Sequence, residues 1–257
     1  MPACSASIEA MATAIASVGR EYFTADLCAL LQVATGYASV AIIAFPQHGS
    51  PSRLFDNLSR ADQERALEPY LAGAYLLDPW YNMVLKEAPD GIYLLTEHAP
   101  DDFEQSEYFH QYYARAGLHD ECAMFIRLSE QVCIVVSLGI YGATPATRVD
   151  LHRAQSLFPC IKALCLRHWG ELSLEPAGPR ATLEDLCQQR GLSGREIQVT
   201  AMVLRGYSNK LIARELEISP ETVKVYRKRI HRKLGTSSSQ QIFTSFFVVA
   251  GSHVAAT

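Results

Sequence analysis

The sequence predicts two domains: an α+β domain folded as an α/β/α sandwich around a central antiparallel sheet, and a smaller all-α domain of four helices. Up to about residue 172, the hydrophobic patterns follow the order helix, strands, helices, strands, helix. A stretch containing Pro176, Gly178 and Pro179 then interrupts them, and only helical periodicity continues beyond it. We therefore assign residues 1–172 and 182–257 to the two domains and residues 173–181 to a linker.

The elements of the first domain can be predicted in chain order. One or two helices over residues 7–36 end at Gly36, a residue type that commonly terminates helices. The other predicted elements are a strand over 38–46, its partner over 51–57, a helix over 60–77, a strand over 91–95, an aromatic-rich helix over 103–116, a β-hairpin over 121–128 and 131–141, and a helix over 147–169. Pro159 is expected to kink this last helix.

The net charge of −4 hides a difference between the two predicted domains. Residues 180–257 carry 12 Lys and Arg against 6 Asp and Glu, whereas residues 1–179 carry 11 against 21. Basic side chains that neutralise phosphates release counterions from nucleic acid, so the C-terminal domain is suited to a polyanion. The acidic N-terminal domain is not.

Cysteine usage and hydrophobicity indicate a reducing setting. The 7 Cys form no CxxC pair and no cluster at metal-ligand spacing, so we expect buried thiols and no metal. The N-terminus lacks the basic segment of a signal peptide, and no apolar run reaches the about 18 residues of a membrane span. These features predict a cytoplasmic protein without membrane contact.

Catalysis is not indicated by any pattern in the sequence. His119, Asp120, Glu121 and Cys122 are adjacent, but neighbours along a strand point to opposite faces of the sheet. The GxxxxGK(S/T) string of a P-loop does not occur. We predict a protein that is not an enzyme and holds no cofactor.

Three capping residues predict the starts of three helices after the linker. Ser193 and Glu196 have the spacing of a capping box, Ser208 can cap a second helix, and Ser219 followed by Pro220 can open a third. Two short helices joined by a tight turn form a helix-turn-helix. Residues 241–249 add a fourth helix, whose apolar edge packs on the domain core or contacts a second copy of the chain.

The third of these helices has two distinct faces. At 100° per residue, Val223, Ile230 and Leu234 lie within about 40° of one another and face inward. The opposite face carries Lys224, Val225, Lys228 and Arg232. Residues 220–235 hold six Lys and Arg and one acid, so this face is available to DNA.

Residues 192–247 resemble the C-terminal DNA-binding domain of LuxR-type regulators. The matching positions are Arg195-Glu196, Gly206, Ser208-Asn209-Lys210, Ile212-Ala213, Leu216, Ile218-Ser219, Thr222-Val223-Lys224 and Lys233-Leu234-Gly235. The resemblance implies that Lys224, Val225 and Lys228 reach base edges in the major groove of double-stranded DNA. It also implies that Ser208, Asn209, Lys210 and Thr222 lie near phosphates, and that a homodimer reads a palindromic operator. Two departures are Tyr226, where the family usually has His, and Ser238-Ser239, near a frequent Arg.

The first domain is similar to the autoinducer-binding domain of quorum-sensing LuxR proteins, through the Tyr75 to Trp80 segment. The resemblance implies that Asp78 binds a small-molecule effector, for which an acyl-homoserine lactone is possible. Because residues 60–69 lack the aromatics that hold a lactone, an orphan regulator with a different ligand is favoured. The predicted ligand-binding residues are Asp78, Tyr75, Trp80, Tyr70 and Tyr112. The alternative is a ligand-independent domain that only mediates dimerisation.

One acidic residue of the predicted hairpin is a further candidate. Either Asp120 or Glu121 could direct a carboxylate into a ligand pocket, which would favour an effector with a donor or a positive charge. A solvated strand end is the expected position of both.

Overall fold

The structure, a computed structural model, describes residues 2–47, 49–99, 103–141, 151–172 and 182–247. The chain groups into two units. The sheet unit contains Met1–Ser59, Lys86–Glu97 and Leu118–Arg180; the helical unit contains Arg60–Leu85, His98–Gly117 and Ala181–Thr257. The predicted linker and the first residues of the predicted helix over 147–169 lie outside the described residues.

Helices and strands alternate in blocks through the first two thirds of the chain. In order, they are α1 (Pro2–Ser17), α2 (Phe23–Thr35), β1 (Ser39–Pro46), β2 (Ser52–Asp56), α3 (Arg60–Asp62), α4 (Glu68–Ala72), α5 (Pro79–Leu85), β3 (Gly91–Leu94), α6 (Leu95–His98), α7 (Ala114–Ala116), β4 (Leu118–Arg127), β5 (Val132–Tyr141) and α8 (Leu151–Trp169). The C-terminal helices are α9 (Leu183–Gln189), α10 (Gly194–Leu204), α11 (Asn209–Glu215), α12 (Pro220–Leu234) and α13 (Ser239–Phe246).

A five-stranded sheet in the order β2-β1-β5-β4-β3 forms the centre of the sheet unit, and each neighbouring pair is antiparallel. The predicted central antiparallel sheet is therefore confirmed. Alternate residues of β1, such as Val40 and Ile42, share a core with α2 and α8, where Phe23 and Ile161 are fully buried. The opposite sheet face is buried as well, as Ile43 and Phe125 show.

Several predicted boundaries are confirmed. Gly36 caps α2 in the left-handed conformation (φ 83°), and its N–H donates to the carbonyl of Gln32 at 2.8 Å. α8 continues through Pro159.

Among the described cysteines, Cys160 is exposed, so the prediction of buried thiols is wrong there; Cys28, Cys122, Cys133, Cys165 and Cys187 are buried.

The two helices predicted over 60–77 and 103–116 are wrong as continuous α-helices. The first contains a π-helical turn over Gln63–Leu67, because Pro69 has no N–H to donate to the carbonyl four residues earlier. Gly73 (φ 153°) then ends it, and a 3-10 turn covers Ala74–Leu77. The second consists of a 3-10 turn, a π-helical turn over Phe109–Tyr113 and α7.

The C-terminal helices α10 to α13 correspond to the four predicted ones. Their buried residues include Ile197, Leu204, Ile212, Val223, Ile230, Ile242 and Phe243. Helix α9 was not predicted from the sequence, although Thr182 and Asp185 have capping-box spacing and form the box in the structure. No helix within the described ranges is long and apolar enough to cross a bilayer.

Candidate nucleic-acid interface and effector site

Helix α12 is fixed at both ends by local caps. The hydroxyl of Ser219 accepts from the backbone N–H of Thr222 at 3.1 Å, and Pro220 occupies the first turn. Gly235 (φ 64°) ends the helix, and its N–H donates to the carbonyl of His231. Val223 and Ile230 are buried against the neighbouring helices, so the rotation of α12 about its axis is set by its apolar face.

The opposite face of α12 is exposed and basic. Lys224, Val225 and Lys228 are all exposed, and Val225 leaves 49% of its surface open to solvent. The exposed Val225 side chain contributes little to the packing of the domain. It can instead contact a thymine methyl group, while Lys224 and Lys228 donate to base edges or phosphates. The arrangement is chemically suited to a major groove.

The residues expected near phosphates lie at the starts of α11 and α12. Ser208 and Lys210 are exposed, and the Ser208 hydroxyl accepts from the N–H of Leu211 at 3.2 Å. Thr222 is half-buried, and its hydroxyl lies 2.9 Å from that of Ser219. Asn209 is half-buried, with its side-chain oxygen occupied by Arg227. Ser208 and Lys210 are therefore the more accessible of the four.

Arg227 is a residue that the sequence analysis did not single out. One guanidinium nitrogen donates to Oδ1 of Asn209 at 3.0 Å and the other to the hydroxyl of Ser239 at 3.1 Å. It thereby joins α12 to the first turns of α11 and α13. A basic residue in a charge run carries no sequence signal that separates this structural role from DNA contact.

The predicted effector residues also meet in the helical unit. The hydroxyl of Tyr70 donates to Oδ2 of Asp78 at 2.6 Å, and the backbone N–H of Trp80 donates to Oδ1 at 3.1 Å. Burial raises the pKa of Asp78 to about 7, even though both hydrogen bonds favour the carboxylate. Burial therefore favours the protonated form of this carboxyl group.

Aromatic rings surround the Tyr70–Asp78 pair. The ring of Tyr70 lies 6.2 Å from that of Tyr75 and 6.0 Å from that of Tyr112, between centroids. Tyr112 donates to the carbonyl of Ala66 at 3.2 Å. The five residues predicted to bind ligand are all buried. Tyr70 contacts Asp78, Tyr75 and Tyr112, and Trp80 is connected to them through its backbone N–H, which donates to Asp78.

Glu121 departs from the expected solvated strand end. Its side chain is buried in the sheet unit, and it accepts a hydrogen bond from the hydroxyl of Ser137 at 2.6 Å. Glu121 and Phe125 alternate with residues of the α2–α8 core along β4, so Glu121 belongs to the opposite sheet face. The structure does not describe the side chain of Asp120.

Tight turns, capped short helices and an exposed basic third helix define a helix-turn-helix DNA-binding domain. Residues 190–246 match the family model GerE, described as bacterial regulatory proteins of the luxR family. The C-terminal domain is therefore a helix-turn-helix domain of the luxR family.

The chain is also similar to two named proteins and to one solved structure. The chain is 26% identical over 182 residues to a protein of Aeromonas salmonicida named as an HTH-type transcriptional regulator of the exeN 3' region; the match covers 66% of this chain and 92% of that one. The response regulator protein TodT of Pseudomonas putida is 57% identical over 51 residues, which cover 20% of this chain and 22% of TodT. The crystal structure of the VqsR LBD domain from Pseudomonas aeruginosa has a TM-score of 0.52 at 23% identity, covering 62% of this chain and 93% of that chain. This last likeness concerns the fold alone.

Proposed function

We propose that α12 is the recognition helix of this regulator, with Lys224, Val225 and Lys228 at base edges in the major groove. The observation that carries the proposal is their joint exposure on the face opposite the buried Val223 and Ile230. Lysine donates to guanine O6 or N7, and valine contacts the thymine methyl group. Ser208, Asn209, Lys210 and Thr222 position the helix through the phosphates.

We also propose that a small-molecule effector controls the regulator through the Asp78 site. The observation that supports this is the buried Tyr70–Asp78 hydrogen bond within a group of aromatic rings. A buried carboxyl group with hydroxyl neighbours offers directional contacts, and the rings offer apolar surface. The effector accordingly combines an apolar body with a hydrogen-bond donor; acyl-homoserine lactones are one class with both features.

We further propose that residues 1–172 sense the effector, that residues 182–257 bind DNA and that the regulator acts as a homodimer. Two copies of α12 related by a twofold axis would match palindromic half-sites about one helical turn apart. The alternative, a first domain that only mediates dimerisation, predicts no ligand response at all.

Thermal unfolding of the full chain tests the effector proposal. An effector that binds the native state at about 100 times its Kd stabilises it by about 2.7 kcal/mol and raises Tm by a few degrees. The panel contains acyl-homoserine lactones of different chain lengths together with small metabolic amines. We expect one class to raise the Tm of the wild type and of the control Asp26→Asn, but not of Asp78→Asn. An equal rise of Tm in Asp78→Asn would show that Asp78 does not bind the effector. No rise of Tm with any compound would favour the alternative, a first domain that only mediates dimerisation.

A further inference from the structure

Arg205, which follows the last residue of α10, is a half-buried cation. One guanidinium nitrogen donates to the backbone carbonyl of Leu76 at 3.4 Å. Its Nε is buried and has no hydrogen-bond partner among the described residues. Burial lowers the pKa of Arg205, and Glu184 and Tyr207 oppose that effect. Because the Nε atom has no partner, the hydrogen bond to the Leu76 carbonyl is an important compensation for the burial of this guanidinium.

A second contact lies three residues before Leu76. A Cβ atom added to Gly73 would lie 3.1 Å from Cδ1 of Phe247, so that ring rests directly against the Gly73 backbone. Phe247 is buried and caps the end of α13. The segment 73–76 therefore touches the ends of two helices of the DNA-binding domain.

A third interaction involves α12 itself. Burial raises the pKa of Glu107, and the charge of Arg227 lowers it, as expected for a nearby opposite charge. Burial also lowers the pKa of Arg227, and Glu107 opposes this. The aromatic-rich segment thus interacts electrostatically with the residue that joins α12 to α11 and α13.

These contacts converge on the predicted effector residue. Leu76 belongs to the 3-10 turn Ala74–Leu77, and Asp78 follows that turn directly. Backbone hydrogen bonds connect the turn to Asp78: the N–H of Leu76 donates to the carbonyl of Gly73 at 3.0 Å, and the N–H of Asp78 donates to the carbonyl of Tyr75 at 3.1 Å.

We propose that Arg205 couples the state of the Asp78 segment to DNA binding by α12. This inference rests on the proposed function, because it names the route by which the Asp78 site regulates the recognition helix. Coupling between two sites is reciprocal. If the conformation of the Asp78 segment changes the affinity for DNA, then DNA binding must also change the conformation of that segment. The effect of DNA on the segment can be measured without knowing the effector.

Hydrogen exchange of the full chain supplies the first test. The backbone amides of residues 70–81 are followed in the wild type, in Arg205→Ala and in Arg195→Ala, which removes an exposed arginine from the same helix. Without DNA, we expect Arg205→Ala to accelerate exchange in this segment by about fivefold or more, and Arg195→Ala to leave it unchanged. Unchanged exchange in Arg205→Ala would overturn the inference.

The second test adds a duplex of random sequence at low salt, and anisotropy of the labelled duplex reports binding independently. We expect saturating DNA to change exchange over residues 70–81 by about twofold or more in the wild type and Arg195→Ala, and not in Arg205→Ala. If DNA binds but exchange over residues 70–81 does not change in the wild type, or changes equally in Arg205→Ala, the inference is overturned while the proposed function stands. A wild type that binds no DNA would instead contradict the proposed function.

Trp80 offers a check that does not depend on exchange kinetics. The chain has 2 Trp, and Trp169→Phe leaves Trp80, whose backbone N–H donates to Asp78, as the single tryptophan, which is excited at wavelengths where tyrosine does not absorb. In that background we expect DNA to shift the Trp80 emission, and Arg205→Ala to abolish the shift. A shift that persists in Arg205→Ala would contradict the coupling.

Discussion

Nζ of Lys233 lies 2.6 Å from Oε2 of Glu196 and so joins the last turn of α12 to the first turn of α10. The same carboxylate accepts from the N–H of Ser193 at 2.7 Å. The Glu196 side chain is 4% exposed and that of Lys233 37% exposed. Burial raises the pKa of Glu196, but the bonds from Lys233 and Ser193 outweigh it and hold the pKa below its usual value. The orientation of α12 therefore depends on a buried polar contact as well as on its apolar face.

Replacing Glu196 by Gln is expected to lower the free energy of unfolding of the full chain by about 1–3 kcal/mol, because a charge-assisted bond is lost at a buried site. Urea unfolding at neutral pH measures the loss. Glu104→Gln changes an exposed glutamate of the same unit, and should stay within about 0.5 kcal/mol of the wild type. Equal stability of the two variants would show that the Lys233–Glu196 contact does not hold α12.

Asp78 should make stability fall as pH rises. Its pKa of about 7 in the folded chain lies above the ordinary aspartate value of 3.8, so the unfolded chain releases this proton at lower pH than the folded chain does. The free energy of unfolding therefore falls as pH rises between the two pKa values, because the buried carboxyl group must ionise. The full loss is present above the pKa of the folded chain. In Asp78→Asn this loss is absent, and we expect the variant to gain about 2–4 kcal/mol relative to the wild type between about pH 4 and pH 7.

Parallel urea titrations of the two proteins measure this difference, and the other titrating groups cancel because both proteins share them. A difference that stays constant from acid to neutral pH would show that Asp78 is not held in its protonated form by burial.

Lys210 should contribute to DNA affinity without contributing to sequence preference. Each phosphate that a lysine neutralises adds about 0.9 to the slope of log affinity against log salt concentration, so Lys210→Ala should reduce the slope by about 1. Anisotropy titrations between about 50 and 200 mM salt give the slope. Lys86→Ala removes an exposed lysine outside the proposed interface and should leave it unchanged. Identical slopes for Lys210→Ala and the wild type would place Lys210 away from the phosphates.

The DNA-binding domain was largely predictable because its determinants are local. Ser208 and Ser219 each accept a hydrogen bond from the backbone N–H three residues ahead, and Val223 and Ile230 lie about two turns apart on one helix. The β1–β2 and β4–β5 pairs were predictable for a similar reason, since a short turn joins the two strands of each pair. The β1–β5 and β3–β4 pairs join strands distant in the chain and were not predicted.

The partners of Arg205 and Glu121 were not predictable, because they depend on long-range packing. Arg205 contacts a carbonyl 129 residues away in the chain, and no local spacing indicates it. Glu121 is buried and accepts a hydrogen bond from the hydroxyl of Ser137 on the neighbouring strand, although a charged residue at a strand start is ordinarily solvated. The broken helix over 60–77 could have been anticipated, because Pro69 lies inside it and Gly73 follows.

Selection of duplexes from a random library by the full chain, followed by affinity measurements on the selected sequence, tests the recognition helix most directly. We predict that the wild type prefers the selected duplex over random DNA by about a thousandfold or more, that Lys224→Ala and Lys228→Ala each lose about 1–3 kcal/mol of binding, and that Lys86→Ala binds like the wild type. Folded Lys224→Ala and Lys228→Ala variants that bind the selected duplex as tightly as the wild type would contradict the assignment of α12.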